Sequence, residues 1–392
     1  MTRPQPRVVA LRPDQVRSWR LGRQRLRQGT EAATPEAVAR DVVGVQAQVM
    51  SAAALSVAVR SADLGVDALP AALRERRMVR SWAMRGTLHV FAADDYPTIV
   101  AALRGREMWR RPAWLRWFGM TEAGMEALIE AVGELLDDGR PRTRAELSDE
   151  LGRRFGSNVG ERVRSGWGSY LKPAADRGYL CQAFDGTSTV AFTRPARWLG
   201  SWRDEEPAGA IIAVVERFLA AYGPASMTEL RLWWGTQPAM LRPAIASLGD
   251  AVTRVEVAGA PGVVLTSDLD AIAGAPPLDG SLRLLGPFDP LIVSGGQRAL
   301  VVPPAHLPRV SRTGGWISPV LLIDGVVAGV WTSERSGNGL RITVEPFRRL
   351  SAADRRALAR EAESVAARHA AAAVLTLGTV FATAARDGEP VS

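Results

Sequence analysis

The chain is poor in the residues that most often carry metal, redox and covalent chemistry. Its 392 residues include one cysteine and three histidines. Cys181 has no second thiol, which excludes an internal disulfide, a zinc finger and a cysteine-ligated iron–sulfur cluster; a small, partly buried side chain is its expected role. His89, His306 and His369 are too widely spaced to read as a metal motif, and no motif supports a Ser-His-Asp triad. Apolar runs are broken well short of a bilayer span. The opening MTRPQPRVVALRPDQ has no apolar segment of signal-peptide type. The expectation is a cytoplasmic protein with no metal site, no cofactor and no membrane partner.

Lysine is scarce too, and arginine stands in its place. Lysine and arginine number 49 against 41 acidic residues, a net charge of +8, and Lys172 is the single lysine. A high-GC genome would favour arginine, but the charge is also clustered. Arg17, Arg20, Arg23, Arg25 and Arg27 lie in RSWRLGRQRLR; Arg104, Arg106, Arg110, Arg111 and Arg116 follow; Arg162 and Arg164 lie in GERVRSGWGSYLK. Guanidinium clusters suit phosphate, by charge and by bidentate geometry. Any one cluster reads equally well as a solvated helix face, but together they favour a nucleic-acid partner over an acidic protein.

With 47% hydrophobic residues the chain can build real cores, and its length suggests roughly two to four units. One pattern recurs three times: a capped helix, a turn, a second helix, then a β-hairpin. The first copy runs from Thr34 to MVRSWAMRGTLHVF, with its hairpin turn near Arg85-Gly86. The second opens on the capping box Thr143/Glu146, continues as a helix over Val159–Arg177 and ends in strands around Asp185-Gly186. The third opens on Ser226/Glu229, restarts at Thr236-Gln237-Pro238 and ends in strands around Gly259 to Gly262. This is the winged helix-turn-helix layout, whose second helix usually enters the major groove while the wing touches backbone or minor groove. Residues 281–349 are short β-rich runs, with tight turns at Asp324-Gly325 and at Ser336 to Gly339, followed by a helix over Ala352–Ala371 and a strand. The expected class is α+β: three winged helix-turn-helix units at 1–118, 119–205 and 206–275, then a β-rich segment with a closing helix at 276–392, forming a concave basic cleft. Trp82, Trp167, Trp233 and Trp234 read as core anchors.

The stretch DVVGVQAQVMSAAALSVAVR, residues 41–60, sets two glutamines in an apolar run. On a helix from Pro35, capped by Thr34, Gln46 projects from inside the Val42/Val45/Val49 stripe while Gln48 points elsewhere, because residues two apart do not share a helix face. A turn near Ala47 to Met50, with Ser51 capping a second helix, would let both amides look into one cavity. The plainer reading is that both satisfy backbone groups at a helix end.

VGVQAQVMSAAALSVAVR, VRSWAMRGTLHVF, YLKPAADRGYLCQ, LLGPFDP and ISPVLLIDGVVAGVW, in this order, resemble the winged-helix family that includes the AlkZ- and YcaQ-type DNA glycosylases. The resemblance covers nearly the whole chain. It implies three tandem winged-helix units around a basic concave surface for duplex DNA, excision of bulky alkylated purines, and, for AlkZ-type members, unhooking of interstrand crosslinks. The family signature of glutamine, an apolar residue, then glutamine or aspartate reads here as Gln46-Ala47-Gln48, the AlkZ variant. The resemblance thus implies that Gln46 and Gln48 are catalytic. It also implies a β-hairpin in the DNA cleft, matched to Ser336–Gly339 with Arg335 and Arg341 on its flanks; this tip carries no bulky apolar wedge.

An amide is not a useful general base, but an N7-alkylguanine or N3-alkyladenine is cationic and leaves as a neutral base. What remains is to hold water against an oxocarbenium-like sugar, work suited to preorganised dipoles. No cofactor is required. The expected enzyme is monofunctional and monomeric, with Lys172 contacting phosphate. Arg85, Thr87 and His89 share a face if RGTLH is extended; Arg85 and His89 are candidate DNA contacts and Thr87 a supporting group. Asp289 in GPFDPL is either a carboxylate supporting the cationic sugar or a turn residue. A second reading stays open on the residues alone: a winged-helix DNA-binding regulator without chemistry.

Overall fold

The computed structural model describes residues 8–27, 29–165, 168–184, 189–200, 202–293 and 298–380. Asp185-Gly186 and Trp167 lie outside them. The fold is mixed α+β, with runs of helices between the strands, and no helix among the described residues is long and apolar enough to cross a membrane.

Local signals set many of the boundaries. The Thr34 side chain accepts from Ala37 N–H and Pro35 opens the helix Pro35–Asp41. Both expected capping boxes form, Thr143 with Glu146 and Ser226 with Glu229. A third, Ser351 with Asp354, starts the helix Ala352–Arg368, which ends three residues before the expected Ala371. The helix expected over Val159–Arg177 is instead two pieces, Ser157–Arg164 and Lys172–Asp176. Between them Gly168 takes φ +62, and a Cβ there would lie 2.3 Å from the Trp82 ring. The chain must pass close to that indole, which a continuous helix could not do.

The described strands form three sheets. In the first, six strands run in the order Val45–Gln46, Leu88–Ala92, Met78–Trp82, Cys181–Ala183, Ala191–Thr193, Arg142–Thr143. The strands Met78–Trp82 and Leu88–Ala92 thus join Cys181–Ala183 and Ala191–Thr193 in one sheet, through Arg80 opposite Gln182. The second sheet is the third hairpin, Val252–Val257 with Ala260–Leu265, extended by Val9–Leu11 in parallel. Its turn is two residues long, Ala258-Gly259, both at positive φ, so Pro261 and Gly262 belong to the strand rather than to the expected turn. The third sheet orders Leu282–Leu285, Val320–Ile323, Val326–Ser336, Gly339–Pro346 and Ala372–Leu377, with the helix Ala352–Arg368 packed on it. The Asp324-Gly325 turn takes the paired positive φ that a tight hairpin needs.

Trp82, Trp233 and Trp234 are buried, as expected of core anchors. The buried Arg106 ties together three segments far apart in sequence. It donates to Ala83 O, to Trp234 O, and with Nη2 to both oxygens of Asp176.

Candidate functional site

The helix Pro35–Asp41 ends earlier than the amide spacing suggested. Val43 N–H donates to Arg40 O and Gly44 N–H to Ala39 O, the paired closure of a Schellman motif. Val43 sits at φ 55, unusual for a β-branched residue, and Gly44 at φ +92. A Cβ on Gly44 would lie 2.4 Å from the Phe91 ring. The chain therefore leaves the helix at 43–44, not at 47–50, and runs on as the edge strand Val45–Gln46, with Gln46 opposite His89. The next helix, Met50–Ala58, has Val49 at its N-cap rather than Ser51, with no side-chain cap. Extended backbone returns side chains to one face every second residue, which a helix cannot do.

Both glutamines meet the turn of the first hairpin. Gln46 Oε1 accepts from Arg85 Nη2 at 2.9 Å, and Gln48 Oε1 accepts from Leu88 N–H at 3.2 Å. Between them Ala47 N–H donates to Leu88 O, and Ala47 O receives Arg80 Nε at 3.1 Å and Nη2 at 2.8 Å. Guanidinium and backbone N–H groups only donate, so each amide must present its oxygen to them and its NH2 outward. Gln46 is buried and Gln48 half-buried. Among the described residues neither NH2 has a partner, and each oxygen keeps a lone pair.

Arg85, at φ 57 in the turn, is the organising cation. Its Nη1 donates to Trp233 O at 2.9 Å, and its Nη2 lies 3.4 Å from His89 Nε2. Because Arg85 can only donate, His89 Nε2 is the acceptor, and the ring proton sits on Nδ1, facing Thr87 O at 3.0 Å. Burial and then the Arg85 charge push the His89 pKa down to about 3, so the imidazole is neutral. Burial lowers Arg85 to about 10 and Arg80 to about 10; both stay charged at neutral pH. Gly235, at φ +79, lets the end of the helix Met227–Trp234 close on this turn: a Cβ there would lie 2.7 Å from Arg85 Cα.

The sequence candidates divide. Gln46, Gln48, Arg85 and His89 come together. Thr87 does not join its expected face: residues 84–86 form a 3-10 turn rather than a strand, and the Thr87 hydroxyl donates to Met84 O. Asp289 is elsewhere, fully buried and paired bidentately with Arg60 at 2.7 Å on both arms; it also accepts from Leu291 N–H. The half-buried Arg162 donates to Asn158, and the exposed Arg164 pairs with Asp149. Lys172 does not stand on an open surface; it lines a cavity with Arg85 and Gly86. The Ser336–Gly339 hairpin forms, with Arg335 donating to His369 O and Arg341 opposite Glu334. A second cavity, ≈580 Å³, is lined by Ser51 and Ala52 just beyond the glutamines and by Thr332, Ser333 and His369 at this hairpin's base.

Several arginines of the basic clusters already have partners within the protein. Arg20 is buried on Gly223 O and Pro224 O, Arg23 donates to Ala220 O, Arg25 pairs with Asp41, and Arg110 pairs with Glu107, Glu122 and Glu126. Sequence reasoning missed Arg80 as the clamp on Ala47; a charge inside the apolar strand MVRSW was the available signal. Cys181 is buried and free, its thiol pKa raised by burial. No cluster of three or more His, Cys, Asp or Glu among the described residues is arranged to hold a metal.

A family model for AlkZ-like DNA glycosylases matches residues 39–368. An interstrand DNA cross-link repair glycosylase of Streptomyces sahachiroi is 38% identical over 325 residues, 81% of this chain and 86% of its own. The solved structure of the Streptomyces sahachiroi DNA glycosylase AlkZ superposes with a TM-score of 0.86 at 35% identity, covering 94% of this chain and all of the other. With the paired amides of Gln46 and Gln48 held on one hairpin turn, and the match running through that segment, the chain belongs to the AlkZ-like DNA glycosylase family.

Proposed function

We propose that this protein hydrolyses the N-glycosidic bond of N7- or N3-alkylated purines in duplex DNA, bulky adducts and interstrand crosslinks included, and that Gln46 and Gln48 are its catalytic residues. The observation that carries this reading is the fixed orientation of both amides by Arg85 and Leu88 N–H. Each Gln oxygen has one lone pair left for a water, and each NH2 is free to donate. Water held there attacks C1′ as the C1′–N bond breaks; the bonding pair stays on the base, which leaves neutral, and water's proton passes to solvent. Fixed dipoles of this kind are worth roughly 2–4 kcal/mol each. The inclusion of crosslinks is supported by the relative named for cross-link repair.

The same proposal includes three winged-helix units around a basic cleft and a monofunctional monomer acting in the cytoplasm. Arg162, Arg164 and the Arg335/Arg341 hairpin would contact the DNA backbone in that cleft. The exposure of Arg164, and the cavity shared by the hairpin base and Ser51, support this arrangement.

Single-turnover excision of N7-methylguanine and of an N7–N7 crosslink tests it, with wild type beside Gln46→Ala and Gln48→Ala. Each variant is expected to lose about two to three decades in rate while still binding DNA. A wild type that releases no base but grips one undamaged sequence tightly would favour the regulator reading.

A further inference from the structure

Arg85 and Gly86, the turn of the first hairpin, form one wall of a cavity of ≈410 Å³. Its remaining walls come from segments far apart in sequence and are of two kinds. Trp114 and Met108 give apolar surface, Trp109 borders it from the core with the Arg110 guanidinium over its ring, and Gly86 and Gly235 add bare backbone. Lys172, Ser169 and Arg106 give donors. Arg106 Nε is buried without a partner, and among the described residues the Lys172 ammonium and the Ser169 hydroxyl have no acceptor either. The carboxylate in the cavity, Asp176, is already held at both oxygens by Arg106. Arg85, Arg106 and Lys172 face that single acid.

A ligand that satisfies this lining is planar, apolar on its faces and rich in acceptors at its edge. A backbone phosphate matches the charge but wastes the indoles and most of the volume. A purine base matches both. We propose that this cavity is the leaving-base subsite for monoadducts, taking an alkylated purine that is not tied to the opposite strand out of the stack against Trp114, with Lys172 and Ser169 donating to its carbonyl oxygen and ring nitrogens. This rests on the glycosylase reading and deepens it. Arg85 lines the cavity and also holds Gln46 Oε1 at 2.9 Å, so base and amide pair share one side chain. The charge balance suits the reaction. When the C1′–N bond breaks, its electron pair stays on the base and a cation becomes neutral. Surroundings with excess positive charge disfavour the cationic base and favour the neutral one, so they promote departure. Extrusion of the base is the general route for chemistry on nucleotides.

The test uses the full chain and two readouts: equilibrium dialysis of free 7-methylguanine, and single-turnover excision from a methylated duplex at saturating enzyme. Ser169→Trp fills the cavity and Lys172→Met removes the central donor; circular dichroism checks both for folding. The expected result is loss of 7-methylguanine binding by about tenfold or more in each, slower excision, and unchanged affinity and salt slope on undamaged duplex. Normal base binding and excision in folded Ser169→Trp would overturn the subsite. So would a Lys172→Met variant whose only change is a salt slope smaller by about one, which marks a phosphate contact. Gln46→Ala separates the two readings: it should bind 7-methylguanine as wild type does and not excise it. A wild type that binds the base, loses it in Ser169→Trp, and excises nothing leaves the subsite standing and sinks the glycosylase reading. One that neither binds nor excises sinks both.

Discussion

Arg85 and Gln46 are joined by a 2.9 Å hydrogen bond that runs from guanidinium to amide oxygen. The same guanidinium holds Trp233 O and faces His89 Nε2, so one cation fixes an amide, a turn and a ring. Remove it and the Gln46 amide can rotate freely, with no donor left to hold its oxygen. Arg85→Ala should therefore slow excision by about 10- to 100-fold, the worth of a charged hydrogen bond. Arg85→Lys should recover little, because a single ammonium cannot serve three acceptors in a plane. Single-turnover rates at saturating enzyme check this; an unchanged rate in Arg85→Ala would remove Arg85 from the positioning of Gln46.

His89 gives a pH dependence with a definite sign. Its folded pKa is about 3 and its ordinary value 6.5. Below 6.5 the unfolded chain takes up a proton that the folded chain refuses. The stability from the neutral ring is thus fully present above 6.5 and declines as pH falls toward 3. The slope is about 1.4 kcal/mol per pH unit. His89→Gln lacks this term, so its stability deficit relative to wild type should shrink by roughly 2 kcal/mol between pH 7 and pH 5. Urea unfolding of both proteins at the two pH values measures it. A deficit independent of pH would mean that the ring is not buried neutral.

The residues differ in how openly the sequence declares them. The caps at Thr34, Thr143 and Ser226 and the turn at Asp324-Gly325 are written in neighbouring residues, and they form as read. The glutamine pair was visible as an oddity, but helix periodicity pointed the wrong way, and only family resemblance singled out its chemistry. The decisive local signal was Gly44, a glycine just past a helix end, outweighed by apolar periodicity that ran on through it. Partners far apart in sequence left no local trace. Arg80 reaching Ala47 O, Arg106 joining Ala83, Trp234 and Asp176, and Arg60 meeting Asp289 are all products of the assembled fold. Nor can composition tell a guanidinium free for phosphate from one like Arg20, buried on backbone carbonyls.

Arg60 and Asp289 show no exposed side-chain surface. The pair ties the helix Met50–Ala58, which starts two residues after Gln48, to the C-terminal β-rich region. Removing one partner strands a buried charge, and such breaks cost about 3–5 kcal/mol. Asp289→Asn should lose stability on that scale by urea unfolding. Arg60→Met with Asp289→Leu, which removes both charges, should lose less. At a temperature where Asp289→Asn is folded, its excision rate should stay near wild type. A rate loss of decades in the folded variant would restore Asp289 to the site as a carboxylate supporting the cationic sugar.

Gly44 tests the link between backbone and amide. At φ +92, with Phe91 in the space a Cβ needs, alanine is strained twice. The ring can yield only by shifting the strand Leu88–Ala92, which pairs with Gln46 through His89 and supplies the Leu88 N–H to Gln48. Gly44→Ala should destabilise the fold by about 2–4 kcal/mol. It should also slow excision in the fraction that remains folded, because the strand carrying Gln46 moves with Phe91. Phe91→Leu in the same chain gives the new methyl group room and should restore part of both, since residues in contact couple rather than add. Rates per folded molecule, with unfolding curves on single and double variants, read this directly. Additive losses in the double variant would mean that the helix break and the amide pair are independent.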